Sequence, residues 1–224
     1  MVSGKRVCAV TRTAIIAAMA GELKPLVRGW KRERVNGVDV WKHRDDNLYV
    51  AACAGVGQAA ATRAFAAVER DAPVDLLFSY GWAGALRADL AVGTAWNMAG
   101  IIDARTGERF RCDAGAGEEW LVTSPVVANA AEKRRLAAAS ARLAQMRGIP
   151  FYSIKGVSDG VGARLPDFNR FIGDDGGFRL GSLVLFALLR PKYWPELIRM
   201  GENSSKASEE MAKAFREFLE GYQA

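Results

Sequence analysis

The chain has 224 residues, of which half are hydrophobic and a quarter are charged, and its formal net charge is +6. This length and composition fit a globular α/β protein with a sizeable core and exclude a disordered or fibrous chain. No apolar run in the sequence has the length of a membrane-spanning helix. The basic residues alternate with acids or follow a helical pattern, so we interpret them as solvated surface and expect no nucleic-acid partner.

Histidine and cysteine are too few and too scattered for several common kinds of site. The only histidine is His43, and the three cysteines, Cys8, Cys53 and Cys112, form no CxxC pair. We therefore expect no metal site, no disulfide framework and no Ser-His-Asp triad. Acid–base chemistry would fall to carboxylates, and we expect no bound cofactor.

The first predicted element is a buried strand over Ala14–Met19. The basic residues before it and the Ala-Met-Ala tripeptide at 18–20 imitate a secretion signal, but Arg12 interrupts the apolar region. We therefore favour a strand over a signal peptide, and we expect a cytoplasmic protein.

Strands and helices then alternate along the chain. A helical turn is predicted over 22–27 and helices over 58–70, 130–147 and 180–189, with a last helix capped by Ser204 or Ser205. Strands are predicted over 36–44, 48–54, 74–79, 94–102, 120–127 and 151–155. The alternation predicts one α/β domain over residues 1–224, with a central mixed β-sheet flanked by helices on both faces.

A glycine-rich stretch, Gly55-Val56-Gly57, stands between a predicted strand and a predicted helix. It fits the weak GxGxxA form of a dinucleotide fingerprint, in which backbone N–H groups bind an anion. The fingerprint also needs an acid at the end of the next strand, whereas Asp75 stands near the start of its strand. A dinucleotide-binding oxidoreductase is therefore the least favoured alternative, and a tight strand-to-helix turn is the simpler interpretation.

Further along the chain, a second glycine stretch and two acids also follow predicted strands. Glu22 follows the first strand, Gly81 to Gly84 are predicted to turn the chain, and Asp159 follows the strand over 151–155. In this order the stretches "AAMAGELKPL" (17–26), "AGVGQAAATRA" (54–64), "GWAGAL" (81–86) and "IPFYSIKGVSDG" (149–160) resemble the nucleoside phosphorylase and nucleosidase superfamily. They are most similar to the methylthioadenosine/S-adenosylhomocysteine nucleosidases.

The resemblance implies cleavage of the N-glycosidic bond of an adenosine-type purine nucleoside, with water or phosphate as the nucleophile. A purine leaves readily only when its N7 is protonated, and the sugar passes through an oxocarbenium-like state. The resemblance assigns the protonating role to Asp159, with Ser158 as its hydrogen-bonding neighbour, and assigns Glu22 to orienting the nucleophile. It places the following residues against the substrate: Gly55, Gly57, Gly81, Trp82, Ala83, Gly84, Val127 and Phe151. The alternatives are a helix cap or Asx-turn for Asp159 and a first-turn helix acid for Glu22.

The chain departs from the family pattern at two places. Trp82 stands where the family has a serine, so that the indole either meets the substrate or serves only in packing. The family's Met-Glu pair, which holds the ribose, is also absent before Ala137, where "EKRRLAAASARLAQMRG" continues one helical pattern. We expect a short segment that carries this pair to be missing at residues 136–137. Both departures keep open a nucleoside-binding protein that has lost catalysis.

The stretch "LGSLVLFALLRPKYWPELIRM" (180–200) combines an apolar helix with aromatic and basic residues. It is either a core helix followed by a loop or an element that makes peripheral membrane contact. The tail is similar to the hopanoid-associated branch of the superfamily, which implies a lipid-linked adenosyl substrate. The family resemblance also implies a homodimer.

Overall fold

The computed structural model describes residues 11–45, 48–113, 117–123, 133–161, 163, 165–173 and 175–223. In this part of the chain the strands are β1 (Thr13–Ala17), β2 (Lys31–Val35), β3 (Val38–Lys42), β4 (Tyr49–Cys53), β5 (Leu76–Gly84), β6 (Ala95–Asp103), β7 (Arg109–Arg111), β8 (Glu119–Thr123) and β9 (Phe151–Asp159). The α-helices are α1 (Ala20–Leu23), α2 (Gln58–Glu69), α3 (Lys133–Arg147), α4 (Leu180–Leu188) and α5 (Trp194–Gln223). Two short 3₁₀ helices cover Phe168–Phe171 and Pro191–Tyr193.

The strands form a mixed sheet in the order β2-β3-β4-β1-β5-β9-β6-β7, with β8 paired to β6. Its centre, β4-β1-β5-β9, is parallel throughout. The pairs β2–β3, β3–β4, β9–β6 and β6–β7 are antiparallel. The carboxyl ends of the four central strands therefore meet at one edge, which is where ligands bind in sheets of this kind.

Helices cover both faces of the sheet, as the sequence predicted. On one face, the small and apolar stripe of α2, with Ala64 and Phe65 at its centre, packs with α3 against the strands. On the other face, Phe215 of α5 meets Phe78 of β5 edge to face, with ring centroids 5.0 Å apart. Such aromatic contacts add about 1 kcal/mol each to the free energy that burial of the rings contributes.

Both central strands are longer than predicted. We expected a turn at Gly81–Gly84, but these residues continue β5 and pair with β9, with a bulge between Ala83 and Gly84. The predicted turn was wrong because parallel neighbours supply the hydrogen bonds that a glycine-rich stretch needs to remain extended. Likewise β9 runs on to Asp159.

Two further predictions about helices need correction. The last helix begins at Trp194, well before Ser204, because Pro195 lies in its first turn, where a proline is tolerated. Helix α3 runs unbroken through Leu136 and Ala137. The expectation that a segment is missing between these two residues is therefore not supported, and the chain has no glutamate there. No helix among the described residues combines the length and the apolar character needed to cross a bilayer.

Candidate active site

A cavity of about 710 Å³ opens at the carboxyl ends of the four central strands. Met19 after β1, Gly55 after β4, Trp82 of β5 and Asp159 of β9 all line it. The volume lies within the range of sites for small organic ligands. The sequence order that suggested a site therefore corresponds to one place in the fold.

Asp159 is the last residue of β9 and lines this cavity. The chain continues into Gly160 without a helix, so Asp159 caps none. The fully buried Ser158 hydroxyl donates to Asp159 Oδ1 at 2.6 Å. Among the described residues, Oδ2 has no hydrogen-bond partner. One oxygen is thus fixed by the protein, and the other is available to a ligand.

Glu22 lies close by but in a different environment. Its side chain is 1% exposed, and it is not among the residues that line the cavity. Oε2 accepts the N–H groups of Ala18 and Met19, both at 2.9 Å, and Oε1 accepts the N–H of Trp82 at 3.0 Å. The bond from Met19, the N-cap of α1, is half of a capping box. The first-turn interpretation of Glu22 is therefore the one that this geometry favours.

Trp82 is held in a fixed orientation at the cavity wall. Its indole Nε1–H donates to the Ser208 hydroxyl of α5 at 2.7 Å. Its ring lies over Gly21, where an added Cβ atom would be 3.1 Å from the ring edge. Trp82 therefore joins α1 to α5 and presents part of its ring to the cavity, so it combines the packing and lining roles that the sequence left open.

The glycine turn at 55–57 is covered by the loop around residue 176. The Gly55 N–H donates to the Ala18 carbonyl at 3.2 Å, and the Val56 N–H donates to the Gly176 carbonyl at 2.8 Å. A Cβ atom at Gly55 would lie 2.4 Å from that same carbonyl oxygen. These two N–H groups are therefore not available to a phosphate or a dinucleotide.

The remaining predicted residues do not line the cavity that Asp159 lines, although Gly84 lies beside Asp159 in the β5–β9 pairing. Ala83 and Gly84 line a second cavity of about 580 Å³, together with Trp96 and the buried Lys155. Phe151 is 4% exposed, in the core at the opposite end of β9. The nine residues of β9 place it about 26 Å from Asp159 at ~3.3 Å per residue. Assigning Phe151 to the substrate was therefore wrong.

Val127 and Cys53 are two further residues that the sequence analysis named. Val127 lies outside the described residues. Cys53 lines the first cavity, and burial raises the pKa of its thiol to about 12, with smaller contributions from Asp39 and Glu22. The thiol is thus neutral at physiological pH and is a poor nucleophile. Within the described ranges, no three His, Cys, Asp or Glu residues are grouped closely enough to hold a metal ion.

Sequence reasoning missed the apolar wall of the cavity. The segment between β9 and α4, the first turn of α4 and one residue of α5 form this wall: Leu165, Phe168, Ile172, Phe178, Leu180, Leu183 and Met200. In the sequence the part before α4 has no clear period, and the helix over 180–189 is the one element predicted in this stretch. The alternation of Phe with glycine and charged residues was the one available signal.

No protein-family model and no curated protein sequence matches the chain. Solved structures do match it. The 5'-methylthioadenosine/S-adenosylhomocysteine nucleosidase of Helicobacter pylori superposes with a TM-score of 0.65 at 13% identity, covering 95% of this chain and 99% of that one. Futalosine hydrolase of the same organism gives 0.65 at 13% identity over 95% and 98%.

A third match has a higher sequence identity. The nucleosidase of Neisseria meningitidis, in complex with methylthio-immucillin-A, gives a TM-score of 0.56 at 19% identity over 90% of this chain and 98% of that one. At these identities the likeness concerns the fold, and it extends over nearly the whole of each chain. The chain therefore shares the fold of these nucleosidases and of futalosine hydrolase.

Proposed function

We propose that this protein cleaves the N-glycosidic bond of a purine nucleoside and that Asp159 donates the proton that the leaving base requires. The observation that carries the proposal is Asp159 in the wall of the 710 Å³ cavity, with one oxygen of its carboxyl group held by Ser158. Protonation of the purine at N7 lets the base leave as a neutral molecule while positive charge develops on the sugar. Ser158 is then a positioning residue for the acid.

The hydrogen bonds at the cavity edge favour water over phosphate as the nucleophile. A phosphate needs free N–H groups or cations. Arg34 is the one cation among the described residues that line the cavity, and it lies opposite Asp39, which also lines the cavity, in the β2–β3 pairing. The N–H groups of Gly55 and Val56 are bound to carbonyl oxygens, and that of Trp82 is bound to Glu22. An anionic nucleophile would also lie near the Glu22 carboxylate. We therefore propose hydrolysis rather than phosphorolysis.

We assign Glu22 a positioning role in place of the nucleophile-orienting role that the resemblance implied. Its carboxylate joins the end of β1 to β5 through Ala18, Met19 and Trp82. Met19 and Trp82 both line the cavity. Glu22 thus sets the separation of two walls without itself facing the substrate.

The apolar wall supports a finer proposal about the substrate. Phe168, Phe178, Leu180 and Leu183 line the same cavity as Asp159, so an apolar group attached to the ribose would be favoured there. A thioether substituent of the methylthioadenosine type fits this chemistry. A lipid-linked adenosyl group of the hopanoid type fits it too and is our second candidate.

The test is incubation with methylthioadenosine and with adenosine, each with and without phosphate, followed by chromatography of the base and the sugar. We expect free adenine and free sugar in both conditions, with faster release from methylthioadenosine. Sugar 1-phosphate formed only with phosphate would contradict the choice of water. Tight binding without adenine release would contradict the proposal. It would favour a nucleoside-binding protein without catalysis, the alternative suggested by the absence of the family's ribose-holding glutamate before Ala137.

A further inference from the structure

Helix α4 has no buried residue, although it is apolar on nearly every side. Val184, Leu185 and Leu188 follow helical spacing and form an outward face, with exposures of 49%, 61% and 63%. Leu189, just after the helix, is 72% exposed. A surface helix in water normally carries polar residues on its outer side. The outer face of α4 is therefore suited to contact with an apolar medium.

The exposed apolar surface continues onto the start of α5. Trp194 and Ile198 lie one helical turn apart and are 45% and 61% exposed. The Trp194 indole N–H donates to the carbonyl of Ala187 at 2.7 Å, which holds the ring at the end of α4. Seven of the eleven large exposed apolar residues in the described part of the chain lie between 180 and 198. A cluster of this kind marks an interaction site.

The segment that carries this surface has an excess of positive charge. Residues 179–200 contain four cations, at positions 179, 190, 192 and 199, against the single acid Glu196. The Arg190 guanidinium lies 4.2 Å from the centroid of the Phe186 ring, and the Lys192 ammonium lies 5.0 Å from that of Tyr193. Long basic side chains beside aromatic rings are typical of segments that lie in a membrane interface.

We propose that the outer face of α4 and the start of α5 form a docking surface for an anionic lipid bilayer, defined by Val184, Leu185, Leu188, Leu189, Trp194 and Ile198. The net charge of +3 over 179–200 complements anionic headgroups. A symmetric contact with a second copy would instead set this positive patch against itself. With nine residues, α4 is too short to cross a bilayer and lies in its plane.

Docking would place the opening of the site at the lipid surface. The partly buried Leu183 lines the 710 Å³ cavity, as does the exposed Leu180 at the start of α4, while Val184, Leu185 and Leu188 belong to the docking surface. Helix α4 thus contributes residues both to the wall of the cavity and to the docking surface. The docking proposal does not depend on the proposed reaction, since vesicle binding is measured without substrate.

The experiment is co-sedimentation of the full chain with phosphatidylcholine vesicles, with and without about 30 mol% phosphatidylglycerol. We expect binding to the anionic vesicles and loss of binding as salt is raised. The double variant Leu185→Glu/Leu188→Glu should reduce the partition coefficient by about tenfold or more. Arg190→Gln/Lys192→Gln should reduce it about fivefold for each charge removed.

Met146→Glu is the matched control, because Met146 is 77% exposed on α3, away from the docking surface. It should bind vesicles like the unaltered chain, and Leu185→Glu/Leu188→Glu should cleave a water-soluble nucleoside at the unaltered rate. Absence of binding to anionic vesicles would overturn the proposal. So would sedimentation equilibrium showing a dimer that the Leu185→Glu/Leu188→Glu variant dissociates, since the surface would then be a subunit interface.

Discussion

Two acids lie at the same edge of the sheet, one after β1 and one at the end of β9, but their surroundings are opposite. Glu22, after β1, is 1% exposed and accepts three backbone N–H bonds. Asp159, the last residue of β9, accepts one hydroxyl and has an oxygen free of partners among the described residues. In the sequence both are simply acids that follow an apolar strand.

The difference arises from where the chain goes after each strand. After β1 it turns at once into α1, so the backbone N–H groups of Ala18 and Met19 surround the Glu22 carboxylate. After β9 it continues through Gly160 and Val161 without a helix, so the described residues that follow the strand bring no helix N-terminus to the Asp159 carboxyl group. An acid surrounded by donors serves the structure, whereas an acid with a free oxygen in a cavity can serve chemistry.

Asp159→Asn should have the largest effect, because it removes the only proton donor that we assign to the leaving base. The amide keeps the size of the side chain and can still accept the Ser158 hydroxyl. We expect adenine release to fall by about 10² to 10⁴-fold with little change in the unfolding midpoint. Asp167→Asn, at the exposed cap of a 3₁₀ helix, is the control. Unchanged adenine release in Asp159→Asn would contradict the assignment of Asp159 as the acid.

Glu22→Gln should act on stability first. The amide has one acceptor where the carboxylate had two, and its NH₂ group would face a backbone donor. We expect a loss of about 2 to 4 kcal/mol in the free energy of unfolding, since buried bonds to charged groups are among the strongest. Urea denaturation followed by circular dichroism measures this. A variant of unaltered stability but with no activity would instead restore a direct catalytic role to Glu22.

Gly81→Ala tests the same contact from the other side. A Cβ atom at this position would lie 2.8 Å from Glu22 Oε1, and the backbone has a φ of +152°. We expect a loss of about 1 to 3 kcal/mol in unfolding free energy, because the carboxylate has to move. The matched control is Gly201→Ala in α5, where an added Cβ meets nothing within 4 Å, and it should be neutral or slightly stabilising. Equal stabilities for both variants would contradict the close packing of Glu22 on β5.

The central strands and the longer helices could be predicted because burial leaves a local pattern. An apolar run identified the core of β5, and the apolar stripe of α2 follows its helical period. The edge strand β2 could not be predicted, since "KRERV" is charged and is a strand only through its pairing with β3. The same reasoning applies to the site. Order along the chain indicated Asp159, but the apolar wall depends on contacts between distant segments.

Ser158→Ala should have the smallest effect and tests how the acid is positioned. Without the 2.6 Å hydrogen bond to Oδ1, the carboxyl group can rotate away from the base. We expect kcat to fall about tenfold with KM nearly unchanged, since the bond matters most in the transition state.

Ser153→Ala is the control for Ser158→Ala, because Ser153 is a buried serine on the same strand and its hydroxyl has no hydrogen-bond partner among the described residues. It should leave kcat unaltered and stability equal or slightly higher. If both variants lost activity to the same degree, the effect would belong to packing along β9 rather than to Asp159. A loss of activity in Ser158→Ala alone would show that the hydrogen bond from Ser158 orients the Asp159 carboxyl group for proton donation.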